Sequence, residues 1–333
     1  LTRLTPGAEY EYRVSADTGA QPAMGEIYRT HTAQPGSFDY TFDYFCDTGL
    51  IGRLDGLATG TERIIREIVK EDPLFLLGGG DYAYGNQDGR YEIMTHAGDE
   101  WFRQWRSVLT RIPLMPQYGN HEIFLKERFD EWAPRFAYPK DVDEGRCYSF
   151  DVGNVHFTSL FMPESKVMPE SHQLDWLDGD LASAREQGVQ WLIVYQHAPI
   201  YGHGESHPAT PEMRALMTPL YEKYSVDLVL TGHDQSYERT FPLYHDGSRP
   251  VLTSNSLDQY ERGSGILYAK ISPAGKKSEI PKDFSKFTTE HQPFMAVRDD
   301  TAHHYAVVNV HSDQSLEFIA YSVPENNAAK TVL

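Results

Sequence analysis

Five short apolar segments of this chain each end in a turn that presents an aspartate, an asparagine or a histidine. The residues at these turns are Asp47, Asp81, Asn120, His197 and His233. In an α/β sheet, the carboxyl ends of neighbouring strands converge on one crevice, where ligands bind. One such residue alone is ordinary, since an aspartate after a strand is commonly the N-cap of a helix. Five metal-binding side chains at five strand ends predict one shared site.

The segments between these turns have the periodicity of alternating strands and helices. Helices are predicted at 57–72, 98–110, 170–187 and 211–224. Strands are predicted at 38–45, 74–77, 147–152, 155–160, 191–195, 226–230, 304–310 and 315–323. The polar, basic stretch from Lys276 to Lys286 is predicted to be a loop. This alternation indicates an α/β fold.

The first 35 residues have a different pattern, which is typical of β structure. Pro6-Gly7 predicts a turn, Tyr10–Val14 alternates like an exposed strand, and residues 27–32 predict a second strand. This stretch resembles the last strands of a fibronectin type III-like module. A whole sandwich of that kind needs about 100 residues. We therefore expect residues 1–35 to be the C-terminal part of such a module, with its first half upstream.

Five sequence blocks around the polar turns match those of a known family. The blocks are Asp47-Thr48-Gly49, Gly80-Asp81-Tyr82-Ala83-Tyr84, Gly119-Asn120-His121-Glu122, Val194-Tyr195-Gln196-His197 and Gly232-His233-Asp234-Gln235. With them the sequence resembles the calcineurin-like metallophosphoesterases and, within them, the purple acid phosphatases. The resemblance implies an α/β fold with a four-layer α/β/β/α metallophosphoesterase sandwich as the catalytic domain over residues 36–325. The partial β-sandwich module of residues 1–35 would precede it.

The resemblance also implies two metal ions held in one centre. Asp81 would bridge them, and Asp47 and Tyr84 would complete the first site, where a phenolate suits trivalent iron. The family has a histidine as a further ligand of this first metal, and Gln235 stands in its place here. Three outcomes stay open: Gln235 binds the metal through its oxygen, a water replaces it, or the first site is weakly occupied.

The second metal site would be completed by Asn120, His197 and His233, where imidazole suits zinc, manganese or iron. Two metals about 3.5–4 Å apart activate a water and neutralise phosphoryl oxygens. The implied activity is therefore hydrolysis of phosphate monoesters by a metal-bound hydroxide. Two alternatives stay open. One is a phosphodiesterase or nucleotide hydrolase on the same scaffold, and the other is an extracellular structural or adhesive protein with a degenerate metal site.

Three further histidines are candidates for contact with the substrate. His121 follows Asn120, and the family uses this position to contact the substrate or to assist the leaving group as an acid. The alternative for His121 is a histidine that orders the turn. His203 and His207 lie in the glycine-rich loop after His197, where the family places catalytic histidines, although the spacing does not align. Each of these two either contacts the substrate or is an ordinary surface histidine.

The composition limits the partners of the chain. It has 48 acidic and 30 basic residues, which gives a net charge of −18. This balance argues against nucleic acid or an anionic membrane as the main partner, since both need basic patches. Bound cations are the simplest way for an acidic protein to recruit a small phosphorylated substrate. No apolar run has the length of a membrane span. By resemblance, we expect a secreted, periplasmic or extracellular protein, and its oligomeric state stays open.

The two cysteines, Cys46 and Cys147, each lie in an apolar strand-like run. Two thiols make no disulfide framework, and we expect both to be buried free thiols that pack as small hydrophobes. Cys46 comes directly before Asp47, where the family usually has glycine. We expect its side chain to face the core and not the metals.

Overall fold

The computed structural model of the protein describes residues 3–16, 23–91, 94–123, 129–139 and 142–333. The α-helices are α1 (Thr61–Glu71), α2 (Met94–Gln104), α3 (Arg106–Leu109), α4 (Phe129–Trp132), α5 (Ser171–Glu186) and α6 (Pro211–Lys223). The first strands are β1 (Glu9–Tyr12), β2 (Ser15–Ala16), β3 (Ala23–Met24), β4 (Tyr28–His31), β5 (Tyr40–Phe45), β6 (Phe75–Gly78), β7 (Leu114–Pro116), β8 (Tyr148–Val152), β9 (Val155–Ser159) and β10 (Trp191–Tyr195). The later strands are β11 (Leu228–Thr231), β12 (Tyr237–Thr240), β13 (Leu243–His245), β14 (Pro250–Leu252), β15 (Leu267–Lys270), β16 (Met295–Asp299), β17 (His303–Val310), β18 (Leu316–Val323) and β19 (Thr331–Val332).

Two large mixed sheets form the centre of the fold. The first has seven strands in the order β16-β12-β15-β11-β10-β9-β8, and the second has six in the order β19-β18-β17-β5-β6-β7. The first sheet contains a group of parallel strands, which consists of β9, β10, β11 and β15. The parallel group of the second sheet consists of β5, β6 and β7. The antiparallel strands flank these parallel groups. The parallel groups therefore bring several carboxyl ends to one edge of each sheet.

Alternating side chains divide each sheet between two cores, as the period of two along a strand requires. Ile193 of β10 lies in the core between the sheets, where Phe42 of β5 meets Phe157 of β9 edge to face at 5.1 Å between ring centroids. Its neighbour Leu192 points the other way, into a second core beneath α5 and α6. The two sheets thus pack face to face, with helices outside.

The outer helices complete the four layers. Trp105, between α2 and α3, stacks on Phe45 of β5 at 4.6 Å between ring centroids. Helix α6 begins with Pro211 at its first position, and the Thr210 hydroxyl caps it by accepting a hydrogen bond from the Met213 N–H at 3.3 Å. Among the described residues, every helix is too short or too polar to cross a lipid bilayer.

The predicted α/β pattern is confirmed with boundaries that differ by a few residues at most elements. The helix predicted over 98–110 is wrong as a single element, because the chain forms α2 and α3 with a break at Trp105. Trp105 is fully buried against Trp101 and Phe45, so packing of the indole, and not helical periodicity, decides the geometry there. Residues 276–286 contain neither a helix nor a strand, as predicted.

The N-terminal strands form small separate sheets. Strand β1 pairs antiparallel with β4, from Glu9 with His31 to Tyr12 with Tyr28, and β2 pairs with β3. Tyr12 donates a hydrogen bond to the carbonyl oxygen of Thr110 at 2.7 Å, which attaches this unit to the helical layer. The assignment of residues 1–35 to a fibronectin type III-like module, and the division at residue 36, stay predictions.

Candidate metal centre

The polar turns of the sequence come together at the carboxyl ends of β5, β6, β7, β10 and β11. Four residues in these turns have positive φ: Asp47 (59°), Asp81 (56°), Tyr84 (52°) and His233 (77°). Non-glycine residues adopt this region rarely, because the Cβ atom crowds the backbone. Such backbone costs on the order of 1–3 kcal/mol per residue and is concentrated at functional sites. The fold holds four candidate ligands in a strained conformation that directs them to one place.

His197 is oriented by a backbone carbonyl. Its Nδ1 lies 2.7 Å from the carbonyl oxygen of Gly79, which can only accept, so Nδ1 carries the proton. The other nitrogen, Nε2, then faces Asp81 Oδ2 at 3.3 Å and His233 Nδ1 at 3.0 Å. A histidine that ligates a metal is typically held by a hydrogen bond from its other nitrogen. Asp81, His197 and His233 offer one ligand atom each within 4.8 Å of one another.

Asn120 directs its amide at both carboxylate oxygens of Asp81, with distances of 3.3 and 3.1 Å. If the nitrogen faces Asp81, the pair is hydrogen-bonded; if the oxygen does, three acceptors converge and require a cation between them. Gly119 makes this approach possible, because a Cβ there would lie 2.0 Å from Asp81 Oδ1. The four predicted ligands of the second metal therefore form one cluster, in which Asp81 contacts both Asn120 and His197, and His197 contacts His233.

The predicted ligands of the first metal lie beside them. The Tyr84 hydroxyl donates to Asp47 Oδ1 at 2.7 Å, and Asp47 Oδ2 accepts from the His233 backbone N–H at 3.0 Å and from the Ser272 hydroxyl at 2.7 Å. Gln235 is buried two residues after His233, and its Nε2 donates to the His233 carbonyl at 2.8 Å. This hydrogen bond leaves the Gln235 side-chain oxygen as the end that can reach a metal.

Two buried atoms of this centre test whether metal ions fit. His233 Nε2 and Gln235 Oε1 are buried, and neither has a hydrogen-bond partner in the described part of the chain. A buried polar atom without a partner costs about 1–3 kcal/mol. Coordination of a first-site metal would satisfy Gln235 Oε1, whereas a second-site metal would be held by His233 Nδ1, the ring nitrogen that faces His197 Nε2 at 3.0 Å. The donor set of imidazole, carboxylate, phenol and amide suits iron, zinc or manganese. The residues present therefore fit the two metal ions that the sequence implies.

The charge of each histidine in the metal-free centre depends on its burial and on the charged groups beside it. Burial would lower the pKa of His197, but Asp81 and Asp47 outweigh it and raise that pKa to about 9. Burial lowers the pKa of His121 to about 3 and that of His233 well below its ordinary value. One imidazolium thus accompanies the carboxylates in this state. Metal ions would displace that proton, since ligands bind metal in their deprotonated form.

The structure places two of the three candidate substrate histidines at the centre. The His121 ring lies 4.1 Å from the Tyr84 ring, and its Nδ1 is 2.8 Å from Asn86 Oδ1. The His207 ring stacks on His233 at 3.9 Å between centroids. His203 instead pairs with Glu238, its Nδ1 lying 3.0 Å from Glu238 Oε1.

Cys46 corrects one expectation from the sequence. It is buried and free, as is Cys147. Its sulfur, however, lies 3.4 Å from His197 Nδ1 and 3.4 Å from the carbonyl oxygen of Gly80, so the thiol borders the metal centre. The side chain also packs in the core between the sheets, as expected, so Cys46 borders both the core and the metal centre. Gly232 packs against it so closely that a Cβ there would lie 1.9 Å from the sulfur.

Glu122 is a supporting residue to which the sequence reasoning assigned no role. Its buried carboxylate accepts hydrogen bonds from the backbone N–H groups of Asp81 at 2.7 Å, Tyr82 at 2.8 Å and Gly119 at 3.0 Å. It therefore joins the turn after β6 to the turn after β7. The sequence signal was its presence in the block with Asn120, since two of its three partners, Asp81 and Tyr82, lie 41 and 40 residues away along the chain.

Two sheets with helices outside, and a cluster of metal-binding residues at the strand ends, define the metallophosphoesterase fold. Residues 30–237 match the family model of the calcineurin-like phosphoesterases. This match covers more than half of the chain, which therefore belongs to that family.

Several of the proteins that are similar to this chain are purple acid phosphatases or other acid phosphatases. Purple acid phosphatase 15 of Arabidopsis thaliana is 28% identical over 271 residues, which are 74% of this chain and 49% of that protein. Acid phosphatase type 7 of Homo sapiens is 27% identical over 323 residues, which are 90% of this chain and 67% of that protein. The chain thus spans about half the length of the plant relative. The solved structure of purple acid phosphatase PPD1 from yellow lupin (Lupinus luteus) seeds shares the fold, with a TM-score of 0.83 at 20% identity over 100% of this chain and 60% of that one.

Proposed function

We propose that this chain hydrolyses phosphate monoesters at a two-metal centre. The observation that carries the proposal is the convergence of Asp81, His197 and His233 on one point. His197 Nε2 lies 3.3 Å from Asp81 Oδ2 and 3.0 Å from His233 Nδ1, and all three side chains are buried. A metal ion held by these three atoms would account for their close approach.

The first-metal residues in this proposal are Asp47, Tyr84 and Gln235, and the bridging carboxylate is Asp81. The strained backbone at Asp47, Asp81 and Tyr84 supports a functional assignment for all three. A phenolate oxygen from Tyr84 favours iron at this site, and Gln235 contributes its free amide oxygen.

The second-metal residues are Asn120, His197 and His233, with the same bridging Asp81. Their imidazole and amide donors favour zinc, manganese or iron. When bound, the two ions would activate a water nucleophile and neutralise charge on the phosphoryl oxygens.

His121 and His207 are proposed to hold the substrate from two sides. His121 lies against Tyr84, and His207 lies against His233, so the two rings flank the two ligand sets. His207 can donate a ring N–H to a phosphoryl or leaving-group oxygen. His121 can do so when its Nε2 carries a proton, since its Nδ1 faces Asn86 Oδ1. His203 is proposed to act in the same loop, and its pairing with Glu238 would fix its ring.

The substrate would be a small phosphorylated molecule, since the net charge of −18 argues against nucleic acid, which needs basic patches. A secreted, periplasmic or extracellular location is proposed on the likeness to purple acid phosphatases.

The deciding experiment replaces Asp81 with alanine and measures metal content and turnover together. We expect Asp81→Ala to lose bound metal and to lose hydrolysis of 4-nitrophenyl phosphate, while Asp313→Ala, which removes a carboxylate from the turn between β17 and β18, keeps both. Unimpaired turnover in Asp81→Ala would exclude this centre as the active site. Faster turnover of a diester than a monoester by the wild type would favour the phosphodiesterase alternative. Less than one metal per chain with no hydrolysis would favour a degenerate structural protein.

A further inference from the structure

A lysine from the loop after β15 lies against the first-metal side of the centre. The Lys276 ammonium is 4.3 Å from the centroid of the Tyr84 ring, and only 2% of its side chain is exposed. Its backbone N–H donates to the carbonyl oxygen of Asp47 at 3.0 Å. The chain therefore places a buried positive charge next to two candidate metal ligands, although no metal ligand or catalytic role has been assigned to it.

The contacts of Lys276 show why the charge is retained when buried. Nζ donates to the carbonyl oxygen of Lys277 at 3.1 Å and pairs with Glu279 Oε1 at 3.1 Å. Both partners are acceptors, and the face of an aromatic ring also attracts a cation. The Glu279 side chain is 41% exposed, so the negative end of the pair is in water and the positive end points inward.

A second ion pair has the same orientation on the same ring. Arg53 donates from Nη1 to the carbonyl oxygen of Tyr84 at 3.0 Å, and its guanidinium carbon is 5.9 Å from the Tyr84 ring centroid. Its partner Asp55 is 34% exposed, whereas the Arg53 side chain is 1% exposed. Two buried cations, each paired with a partly exposed carboxylate, thus lie against the Tyr84 ring. The Lys276 ammonium is nearer to the ring centroid than the Arg53 guanidinium.

Lys276 also acts on the residues that would contact the substrate. Burial lowers the pKa of His121 to about 3, Asp81 opposes this effect, and the charge of Lys276 adds to it. Burial also lowers the pKa of Lys276, and Glu279 opposes that change. The His121 ring and the Lys276 ammonium both contact the Tyr84 ring, at 4.1 and 4.3 Å from its centroid, so the ammonium is one side chain away from a proposed substrate residue. An anion between His121 and His207 would feel this charge with little screening, since buried charges are shielded less by salt and water.

We propose that Lys276 determines substrate selectivity by favouring the doubly charged phosphate monoester over the singly charged diester. The inference rests on the proposed hydrolase function and deepens it. A Coulomb energy is proportional to the charge of the substrate. The logarithm of the rate loss on removing Lys276 should therefore be twice as large for a dianion as for a monoanion.

The test compares Lys276→Met with Lys277→Met in the metal-loaded protein. Methionine keeps the length of the side chain and removes the charge, and Glu279 stays solvated. Lys277 is a matched control, because its ammonium pairs with Glu325 at 3.2 Å on another face. With the monoester doubly ionised at pH 7.5, we expect Lys276→Met to lower kcat/KM about 10-fold for 4-nitrophenyl phosphate and about 3-fold for bis(4-nitrophenyl) phosphate. Lys277→Met should leave both values unchanged.

Two further readouts keep this inference separate from the proposed function. Calorimetry with inorganic phosphate should show about 10-fold weaker binding by Lys276→Met and wild-type binding by Lys277→Met. Elemental analysis should show equal metal content in all three proteins. Equal losses for both esters, no loss for either, or loss of metal in Lys276→Met would overturn the selectivity role. A wild type without turnover whose phosphate binding depends on Lys276 would refute the hydrolase proposal and keep the anion site.

Discussion

Gly119 allows a sharp test of the metal centre, because its backbone would tolerate a side chain but its surroundings would not. Its φ of −95° and ψ of −177° are extended values that alanine adopts freely. A Cβ at this position would lie 2.0 Å from Asp81 Oδ1 and 2.8 Å from His197 Cε1, whereas real Cβ contacts essentially never fall below 3.0 Å. In Gly119→Ala the Asp81 carboxylate must therefore move by about 1 Å.

The size of the effect follows from that displacement. A misplacement of about 1 Å in a reacting group costs on the order of 100-fold in rate, which corresponds to about 2.7 kcal/mol of barrier. The same movement strains the hydrogen bond of 3.0 Å from the His121 backbone N–H to Asp81 Oδ1. We expect kcat/KM for 4-nitrophenyl phosphate to fall about 100-fold and metal content to fall with it, while overpacking costs about 1–3 kcal/mol of stability.

The matched control is Gly179→Ala in α5. No atom lies within 4 Å of a Cβ at Gly179, and alanine is about 1 kcal/mol more favourable than glycine inside a helix. This variant should be more stable by urea unfolding and unchanged in activity. If Gly119→Ala kept its metal and turned over within three-fold of the wild type, the contact of Asp81 with His197 would not be the reaction centre.

Three other predictions follow from single contacts. Gln235→His should raise the metal content that survives dialysis against a chelator, because imidazole is a stronger ligand than a neutral amide oxygen; an unchanged content would show that this position does not reach a metal. Tyr84→Phe removes the hydroxyl bonded to Asp47 and should abolish any visible charge-transfer band of the iron-loaded protein. Burial would raise the pKa of Glu238, but Lys270 and His203 outweigh it and lower that pKa from 4.5 to about 2. A carboxylate whose pKa is lowered in the folded state stabilises the fold above pH 4.5, and this effect is lost as the pH falls toward 2. By urea unfolding, we expect Glu238→Gln to be about 3 kcal/mol less stable than the wild type at pH 6. This difference should shrink as the pH is lowered from 4.5 to 2.

Much of the fold could be predicted from the sequence, because strand and helix periodicity depends on neighbouring residues. The strand at 191–195 and the helix near 170–187 match the observed β10 and α5 closely. The break at Trp105 could not be predicted in this way. It depends on the contact of this indole with Phe45, a residue of β5 that is 60 positions earlier in the chain.

The candidate site could likewise be predicted only in part. Strand ends followed by polar turns placed Asp47, Asp81, Asn120, His197 and His233 at one edge, and the structure brings their side chains together. Each turn directly follows its own strand, so its position can be predicted from the residues around it. The bridging and coordinating roles of these residues stay proposals for the metal analysis to test.

The residue types at the ends of the parallel strands, and hence the family and the kind of site, can be read from the amino-acid order alone. Their surroundings depend on the packing of distant segments, which places the Cys46 thiol against His197, the Glu122 carboxylate across two turns, and the Lys276 ammonium on Tyr84. These contacts join residues from 41 to 192 positions apart in the chain. No local pattern encodes such pairs, because they arise when two sheets and their loops pack to fill the available volume.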